Sequence, residues 1–595
     1  MNQLLQDLRF AFRTLLKNPG FTVVAVLALA LGIGANAAIF SFVNAFLIRP
    51  LPFSQPERLV HVWGTDTRKG YDQNRVSVPE FRDWSERSRS FSALGAFNYT
   101  GETLTGQEAP ERIDAGRVSA NVFDLLGVEP LEGRAFLAGE DSVASSPVAV
   151  ISQRFRNNRF GDEPVLGREI EINDTLYTIV GVMPDHFRFP LPTTQLWLPR
   201  LMDQEWPREQ RFLQVVGRLK EGVSRQQAQQ EMDRIAASLR EQFPQDHADV
   251  GANVADLRSA LNFAHDIIQP MSGILLAAVG FVLLIACANV ANLLLSRSSA
   301  RRREIALRSA LGAGRARLVR QLLTESVLLS LLGALAGLAV GYLASTAMAS
   351  YIPDELYRVG SIGLDGSAFL YTLGLALVTA LIFGTLPSLK LSRTNLVDSL
   401  KEGSAGSGLG RSSGRLHGWL VTAEIAMAII LLVGAALMVR SFLNLQSINP
   451  GFESGPVLTA TLQIPSNRYD TADKRRAFQR RLIEEVAASP QVSQAATVNY
   501  LPLNHETDGR EFTILGRPAS DSSARLTTAF TVSPGYFQLL EIPLLKGRLL
   551  QFSDDENAPL AGVISRTMAD QHWPGADPLG AQIEVEYVPR PVTVV

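Results

Sequence analysis

Residues 21–48 read FTVVAVLALALGIGANAAIFSFVNAFLI, an apolar run broken by Asn36, Ser41 and Asn44 and free of charge. At 1.5 Å per residue a helix of this length reaches roughly 40 Å, enough to cross about 30 Å of hydrocarbon with some tilt. Four more runs of spanning length follow: 271–295, about 327–349, 368–389 and 419–438. The last holds one acid, Glu424, near one end, where it can reach the interface or face a protein partner.

The 595 residues are 46% hydrophobic and 19% charged, and the apolar excess is concentrated in these runs while the stretches between them have the texture of soluble protein. A net charge of -2 gives no sign of a nucleic-acid binder. Cys287 is the single cysteine and lies inside an apolar run, so no intrachain disulfide can form. The seven histidines (61, 186, 247, 265, 417, 505, 572) show no H-x-x-x-H spacing, which argues against a zincin site and a structural zinc. No Gly-Lys pair occurs, so the sequence holds no G-x-x-x-x-G-K-[ST] phosphate loop. Enzyme chemistry in this chain is therefore not expected, and no metal or cofactor is called for.

Orientation follows from the basic residues beside the runs. Arg9, Arg13 and Lys17 precede the first, Arg297, Arg301, Arg302, Arg303 and Arg308 follow the second, and Lys390, Arg393, Lys401, Arg411 and Arg415 lie between the fourth and fifth. Between the third and fourth stand Asp354, Glu355 and Asp365 against Arg358. The expected layout is a cytoplasmic amphipathic segment 1–20, a span 21–48, an external domain 49–270, and a permease region 271–389. That region carries spans 271–295, 327–349 and 368–389. A Gly/Ser-rich cytoplasmic linker 390–418, a span 419–438 and a second external domain 439–595 complete the chain. The basic start followed by Ala35-Asn36-Ala37 also resembles a cleavable signal peptide, but the apolar run continues through Ile39, Phe40, Phe42, Val43, Phe46 and Leu47, longer than a signal core.

Residues 49–270 read as a mixed α+β domain. The β-branched run Thr178–Val182 before Met183-Pro184-Asp185 argues for a strand and a turn. Over 224–243, Ala228, Met232, Ile235, Ala236 and Leu239 recur at helical spacing. The texture returns after the fifth run. Val118-Ser119, Phe123, Leu125-Leu126 and Gly133-Arg134 recur 414 positions later as Val532-Ser533, Phe537, Leu539-Leu540 and Gly547-Arg548. After a one-residue slip, Val150-Ile151-Ser152 meets Val563-Ile564-Ser565 and Gly167 meets Gly580. This is the pattern of a duplication, with the second unit expected to stop short of the first.

Between the second and third runs stands RRREIALRSALGAG, residues 301–314. Ile305, Leu311 and Ala313 offer small apolar contacts, Glu304 and Arg308 form an i,i+4 pair, and Gly312 and Gly314 break the helix. Such a short amphipathic helix suits a groove on a cytoplasmic partner, although arginines here also serve simply to mark the inner face. The wording of this segment resembles the cytoplasmic coupling helix of MacB/FtsX-type ABC transporter permeases. The opening LRFAFR with KNPGF, the GIGANAAIF of 32–40 and the VGVMP of 180–184 are similar to the duplicated, acidobacterial-type subgroup of that family.

The resemblance implies an α-helical membrane protein with large α+β periplasmic domains, built on a duplicated unit of one span, periplasmic domain and three spans. It implies docking of a separate cytoplasmic ABC ATPase at Glu304, Ile305, Ala306, Leu307, Arg308, Leu311, Gly312 and Ala313. It implies location in the bacterial inner membrane, an efflux or export role, and, as further partners, a periplasmic adaptor or membrane-fusion protein or a second permease chain. A non-transporting relay that controls an envelope enzyme or sensor stands as the alternative. Asn289 and Asn292 suit interhelical hydrogen bonding better than a substrate path.

Overall fold

The computed structural model describes residues 2–67, 70–106, 110–244, 249–261, 265–310, 315–351, 363, 365–392, 411–453, 455–465, 468–503, 509–517, 525–555 and 557–595. Within these, the side chains of 2–5, 265–267, 295–310, 315–316, 318, 383, 385–392 and 411–417 are not described. Contacts divide the chain into two compact units, Met1–Gly101 with Ile113–Ile170 and Leu176–Leu443, and Glu102–Arg112 with Glu171–Thr175 and Asn444–Val595.

In the first unit, helix α1 (Asn2–Leu16) leads into α2 (Pro19–Val43), which ends in a π-helical turn, Asn44–Ile48. An α+β domain follows, built on β1 (Leu59–Asp66), β2 (Tyr71–Asn74), β3 (Val76–Ser77), β4 (Phe91–Thr105), β5 (Glu111–Val118), β6 (Glu132–Gly133), β7 (Val148–Ser152), β8 (Glu169–Ile172), β9 (Thr175–Met183), β10 (Leu196–Pro199), β11 (Arg211–Leu219) and β12 (Val250–Asp256). They form a twelve-stranded sheet in the order β12-β1-β11-β4-β5-β10-β7-β9-β6, with β2, β3 and β8 pairing off this path. The domain's helices are α3 (Val78–Arg87), α4 (Val122–Leu126), α5 (Gln153–Phe160), α6 (Arg225–Gln242) and α7 (Leu257–Leu261).

Strand β1 shows how the sheet is held. It lies between β11 and β12, both antiparallel to it, and its successive side chains enter two different cores. Leu59 joins Phe97, Phe123, Phe187, Phe189 and Trp197, together with Leu51 and Phe53 from the chain just after α2. Val60 and Val62 join Trp84, Phe91 and Val215 on the other face. A strand buried on both faces reads as a continuous apolar run rather than an alternating one. Helix α6 closes the second core: Ser224 caps it, Gln227 completes a capping box, and Ala228, Met232, Ile235, Ala236 and Leu239 are buried.

The remaining helices are α8 (His265–Ala310), α9 (Arg315–Ala349), α10 (Gly366–Ser392) and α11 (Arg411–Ser447). Among the described residues, four helices are long and apolar enough to cross a membrane: Pro19–Ile48, Ile268–Leu294, Val319–Ala349 and Gly418–Ser447. Gly366–Ile382 is a shorter apolar stretch. Helices α2, α8, α9 and α10 share a core of Ala25, Leu29, Ile33, Leu283, Cys287, Val290, Leu329 and Ala376. No side chain in the apolar window of α11 is buried.

The second unit carries α12 (Ala472–Ala487), β13 (Gly509–Ile514), β14 (Arg525–Thr528), α13 (Tyr536–Leu539), β15 (Leu560–Gly562), α14 (Arg566–His572), β16 (Gln582–Val585) and β17 (Val592–Val594). Its five-stranded sheet runs β14-β13-β16-β17-β15 around Phe512, Ile514, Trp573 and Ile583. Its local bonding repeats that of the first unit at the paired positions. The Ser119 hydroxyl accepts from Ala96 N–H at 3.0 Å, and the Ser533 hydroxyl accepts from Thr497 N–H at 2.9 Å. Ser152 caps α5 through Phe155 N–H at 3.1 Å, and Ser565 caps α14 through Met568 N–H at 3.2 Å.

Candidate functional site

Helices α2 and α9 pack backbone to backbone where Gly34 faces Gly337. A Cβ on Gly34 would stand 2.8 Å from the Gly337 carbonyl oxygen, and one on Gly337 would stand 3.2 Å from Gly34 N. Gly333 lies against Leu29 and Gly341 against Ala37, so the Gly333, Gly337, Gly341 ladder supplies one wall of the crossing. In an apolar medium, helices associate through such backbone approach and through hydrogen bonds between helices. The bonds are present too. Asn36 donates to Val279 O of α8 at 2.7 Å, and Ser330 of α9 donates to Ala376 O of α10 at 2.6 Å with Thr379 Oγ1 2.7 Å away. In the sequence Asn36 is an interruption of the apolar run, and the G-x-x-x-G-x-x-x-G spacing of 333–341 is the one-dimensional trace of the glycine ladder.

The polar residues suspected in the second run behave differently from one another. Asn289 is exposed, while Asn292 is half-buried and its Oδ1 has no hydrogen-bond partner among the described residues. Glu424 is half-buried on α11.

At the end of the bundle next to the α+β domain, the helix ends at Ile48 and leaves its last carbonyls without intrahelical donors, and α7 supplies a replacement. Arg258 Nη1 donates to Leu47 O at 2.8 Å and lies 3.4 Å from Ile48 O. Asn44 Nδ2 donates to Asp365 Oδ2 and to Ser367 Oγ, each at 3.0 Å, and Asp365 in turn caps α10 through Ala368 N–H at 2.9 Å. Three and five residues after the π-turn, Leu51 and Phe53 enter the same core as Leu257 and Leu261 of α7. The end of α2 is thus fastened to the domain by packing and to α10 by hydrogen bonds. π-turns of this kind recur at working positions of helices.

At the opposite end, α8 runs from His265 to Ala310, a 46-residue helix about 69 Å long that carries Pro270 inside it near its start. The stretch read as a separate short helix over 301–314 is, as far as Ala310, the terminal turns of this one. Arg, Glu, Ala and Leu are strong helix formers, so leaving the apolar run gives the helix no reason to stop. Glu304, Ile305, Ala306, Leu307 and Arg308 lie on these turns, with side chains outside the described residues. Leu311, Gly312 and Ala313 lie outside the described residues altogether. Beside them in sequence, α9 begins at Arg315, and Arg320 Nε donates to Asp7 Oδ2 of α1 at 2.9 Å.

Within the α+β domain two ionisable side chains are fully buried. Burial pushes the Glu80 carboxyl up to about 7, against the pull of Arg211, whose Nε stands 3.9 Å away. Burial likewise pushes His61 down to about 3, so its ring stays neutral, stacked on Trp63 at 3.8 Å. Gln214 offers the ring a weak polar contact that falls short of a well-formed hydrogen bond. Among the described residues, no group of three or more His, Cys, Asp or Glu could hold a metal ion.

Comparison with known proteins fits this architecture. The family model described as the MacB-like periplasmic core domain matches residues 22–235 and again 422–595, and the FtsX-like permease C-terminal model matches 276–396. The macrolide export ATP-binding/permease protein MacB of Marinobacter nauticus is 24% identical over 407 residues, covering 66% of this chain and 60% of that protein. The MacB of Chromobacterium violaceum is 25% identical over 351 residues, 55% of this chain and 52% of that one. This chain therefore spans about 60% or less of the length of these two relatives. Among solved structures, the periplasmic region of MacB from Actinobacillus actinomycetemcomitans aligns over 34% of this chain and 91% of its own, at 14% identity and a TM-score of 0.27.

Proposed function

Because this chain belongs to the MacB/FtsX-type ABC transporter permeases, we propose that it converts ATP hydrolysis by a separate cytoplasmic ATPase into movement of its α+β domains, in the service of efflux or export. In this reading the protein sits in the bacterial inner membrane with its amino terminus in the cytoplasm, as the basic residues beside the spans favour. The two core-domain matches are two copies of one unit, each a span followed by a periplasmic domain, and the local bonding repeated between Ser119 and Ser533 supports the duplication. The ATPase docks at Glu304, Ile305, Ala306, Leu307, Arg308, Leu311, Gly312 and Ala313.

The observation that carries the proposal is the single long helix α8. It starts at His265, four residues after α7, and continues as one helix through Pro270 to Ala310 of the docking stretch, so a push at one end is carried along a helix to the other. At the far end, Ile268 of α8 packs with Phe42, Phe46 and Leu47 at the end of α2, which Arg258 holds to the domain. The test is Leu311→Asp in the purified complex: the ATPase should no longer co-purify, and full yield with coupled activity would overturn the docking. A cysteine at Asp162 should react with an impermeant thiol reagent in intact cells, since the native Cys287 is buried; reaction only after lysis would overturn the orientation. ATP turnover that responds to export substrates rather than to an envelope protein would separate transport from a relay.

A further inference from the structure

The helix before the first span carries three ladders of side chains, one buried and two exposed. Asp7, Ala11 and Leu15, spaced four apart, are buried, Leu15 in the bundle core and Asp7 on Arg320. One residue further round, at about 100° per residue, Leu8, Phe12 and Leu16 form a second ladder that is 44%, 53% and 64% exposed. One more residue round, Arg9, Arg13 and Lys17 form a third ladder, all exposed and without a salt-bridge partner among the described residues. The apolar ladder continues onto α2 through Val23, Val24, Leu27 and Leu31, each more than half exposed, which is the surface a spanning helix turns to lipid.

We propose that α1 lies in the plane of the bilayer surface and binds anionic phospholipid headgroups, with Arg9, Arg13 and Lys17 on the headgroups and Leu8, Phe12 and Leu16 in the acyl boundary. This rests on the membrane orientation proposed above. An apolar stripe flanked by a basic one is the chemistry of an interfacial helix, and the cations give it preference for a negatively charged leaflet. A protein groove would need a matching acidic surface, whereas the exposed Val23, Val24, Leu27 and Leu31 of the span that follows Leu16 make the bilayer the occupant shared by both helices. The consequence reaches the coupling region. Asp7 ties α1 to Arg320 on the first turns of α9, so lipid that fixes α1 also fixes the chain leaving the docking stretch.

The experiment is amide hydrogen exchange on the full chain in phosphatidylcholine nanodiscs with and without phosphatidylglycerol. Phosphatidylglycerol should slow exchange across α1 by at least about fivefold, the factor equivalent to one surface cation on an anionic leaflet. Replacing Arg9, Arg13 and Lys17 together by Gln should abolish the difference, and Arg9→Lys with Arg13→Lys should keep it. An α1 that exchanges equally in both discs, or a Gln variant that keeps the response, overturns the proposal. So does protection that appears only when the ATPase is added, since the occupant would then be protein. Exchange of α2 and α8 in the same samples reports membrane insertion separately: if these are protected while α1 ignores lipid charge, the lipid inference alone has failed.

Discussion

Arg134 and Arg548, 414 positions apart, make the same grip on an acid six residues downstream. Arg134 places Nη1 at 2.9 Å and Nη2 at 2.7 Å on the two oxygens of Glu140, and Arg548 places the same atoms at 2.8 and 2.7 Å on Asp554. Each acid also accepts the backbone N–H three residues before it, Leu137 or Gln551, at 2.8 Å. A two-nitrogen fork on a carboxylate that also closes a turn is geometrically specific in a way an ordinary surface pair is not. The grip survives a change from Glu to Asp because the turn, not the side-chain length, sets the position of the carboxylate.

Arg548→Lys should therefore open that turn, since a single ammonium cannot occupy both oxygens. The expected sign is faster proteolysis near residues 548–554, with no change near 134–140. The pair also sets a pH dependence: the Arg548 hydrogen bond holds the Asp554 carboxyl below its usual value. That contribution is present above the ordinary carboxylate range and is lost as pH falls through the lower folded value. Acid should thus open this turn in the native chain and the 134–140 turn with it, since, against the opposing effect of burial, Arg134 also holds Glu140 below its usual value.

Gly34→Ala should destabilise the bundle by about 1–3 kcal/mol, because its methyl would meet a backbone oxygen at 2.8 Å and Val340 at 2.9 Å, neither of which can swing away. Gly20→Ala is the control, with nothing within 4 Å of its Cβ. Thermal unfolding of the whole chain in detergent measures both. Equal melting of the two variants would mean the crossing is looser than the glycines indicate.

What was legible in the sequence followed from one-dimensional patterns. Ala228, Met232, Ile235, Ala236 and Leu239 were readable as one buried face because helix periodicity is local, and the structure buries all five. Thr178–Val182 falls inside β9 for the same reason. The Arg258 contact is not legible in the sequence, since it joins residues 211 apart through a backbone oxygen left free at a helix end. The extent of α8 is not legible in apolar character, which marks the span 271–295 alone, because helix propensity carries the helix on to Ala310. The glycine ladder was visible but ambiguous, since its meaning depends on which helix it faces.

Glu80 and His61 should give the domain opposing pH slopes. Glu80 is raised from 4.5 to about 7, so its contribution is fully present below 4.5 and is lost as pH rises through 7, on the order of 3 kcal/mol at most. His61 is lowered from 6.5 to about 3, so its contribution is present above 6.5 and is lost as pH falls toward 3. The groups facing Glu80 are Arg211, Arg208 and Asp83. Glu80→Gln should remove the decline between 4.5 and 7, and His61→Phe should blunt the acid loss below 6.5. Tryptophan fluorescence of the whole chain against pH reads both; slopes unchanged from the native protein would show that neither group titrates as its burial requires.

Arg258→Met keeps the side chain's apolar stem but removes the donors to Leu47 O and Ile48 O. Two carbonyls at the end of α2 then depend on water, at a cost of about 1–3 kcal/mol if they stay shielded from it. Because Leu51 and Phe53 still anchor the chain in the domain core, the protein should fold, with the loss confined to the π-turn. Amide exchange across 44–50 should rise while that of β1 and α6 stays level. If the proposed coupling is right, the variant should hydrolyse ATP with its partner ATPase yet move the α+β domain less, seen as a smaller ATP-dependent change in a distance label on that domain. Undiminished movement would mean that force reaches the domain through α8 and α7 alone, without the fastening of α2.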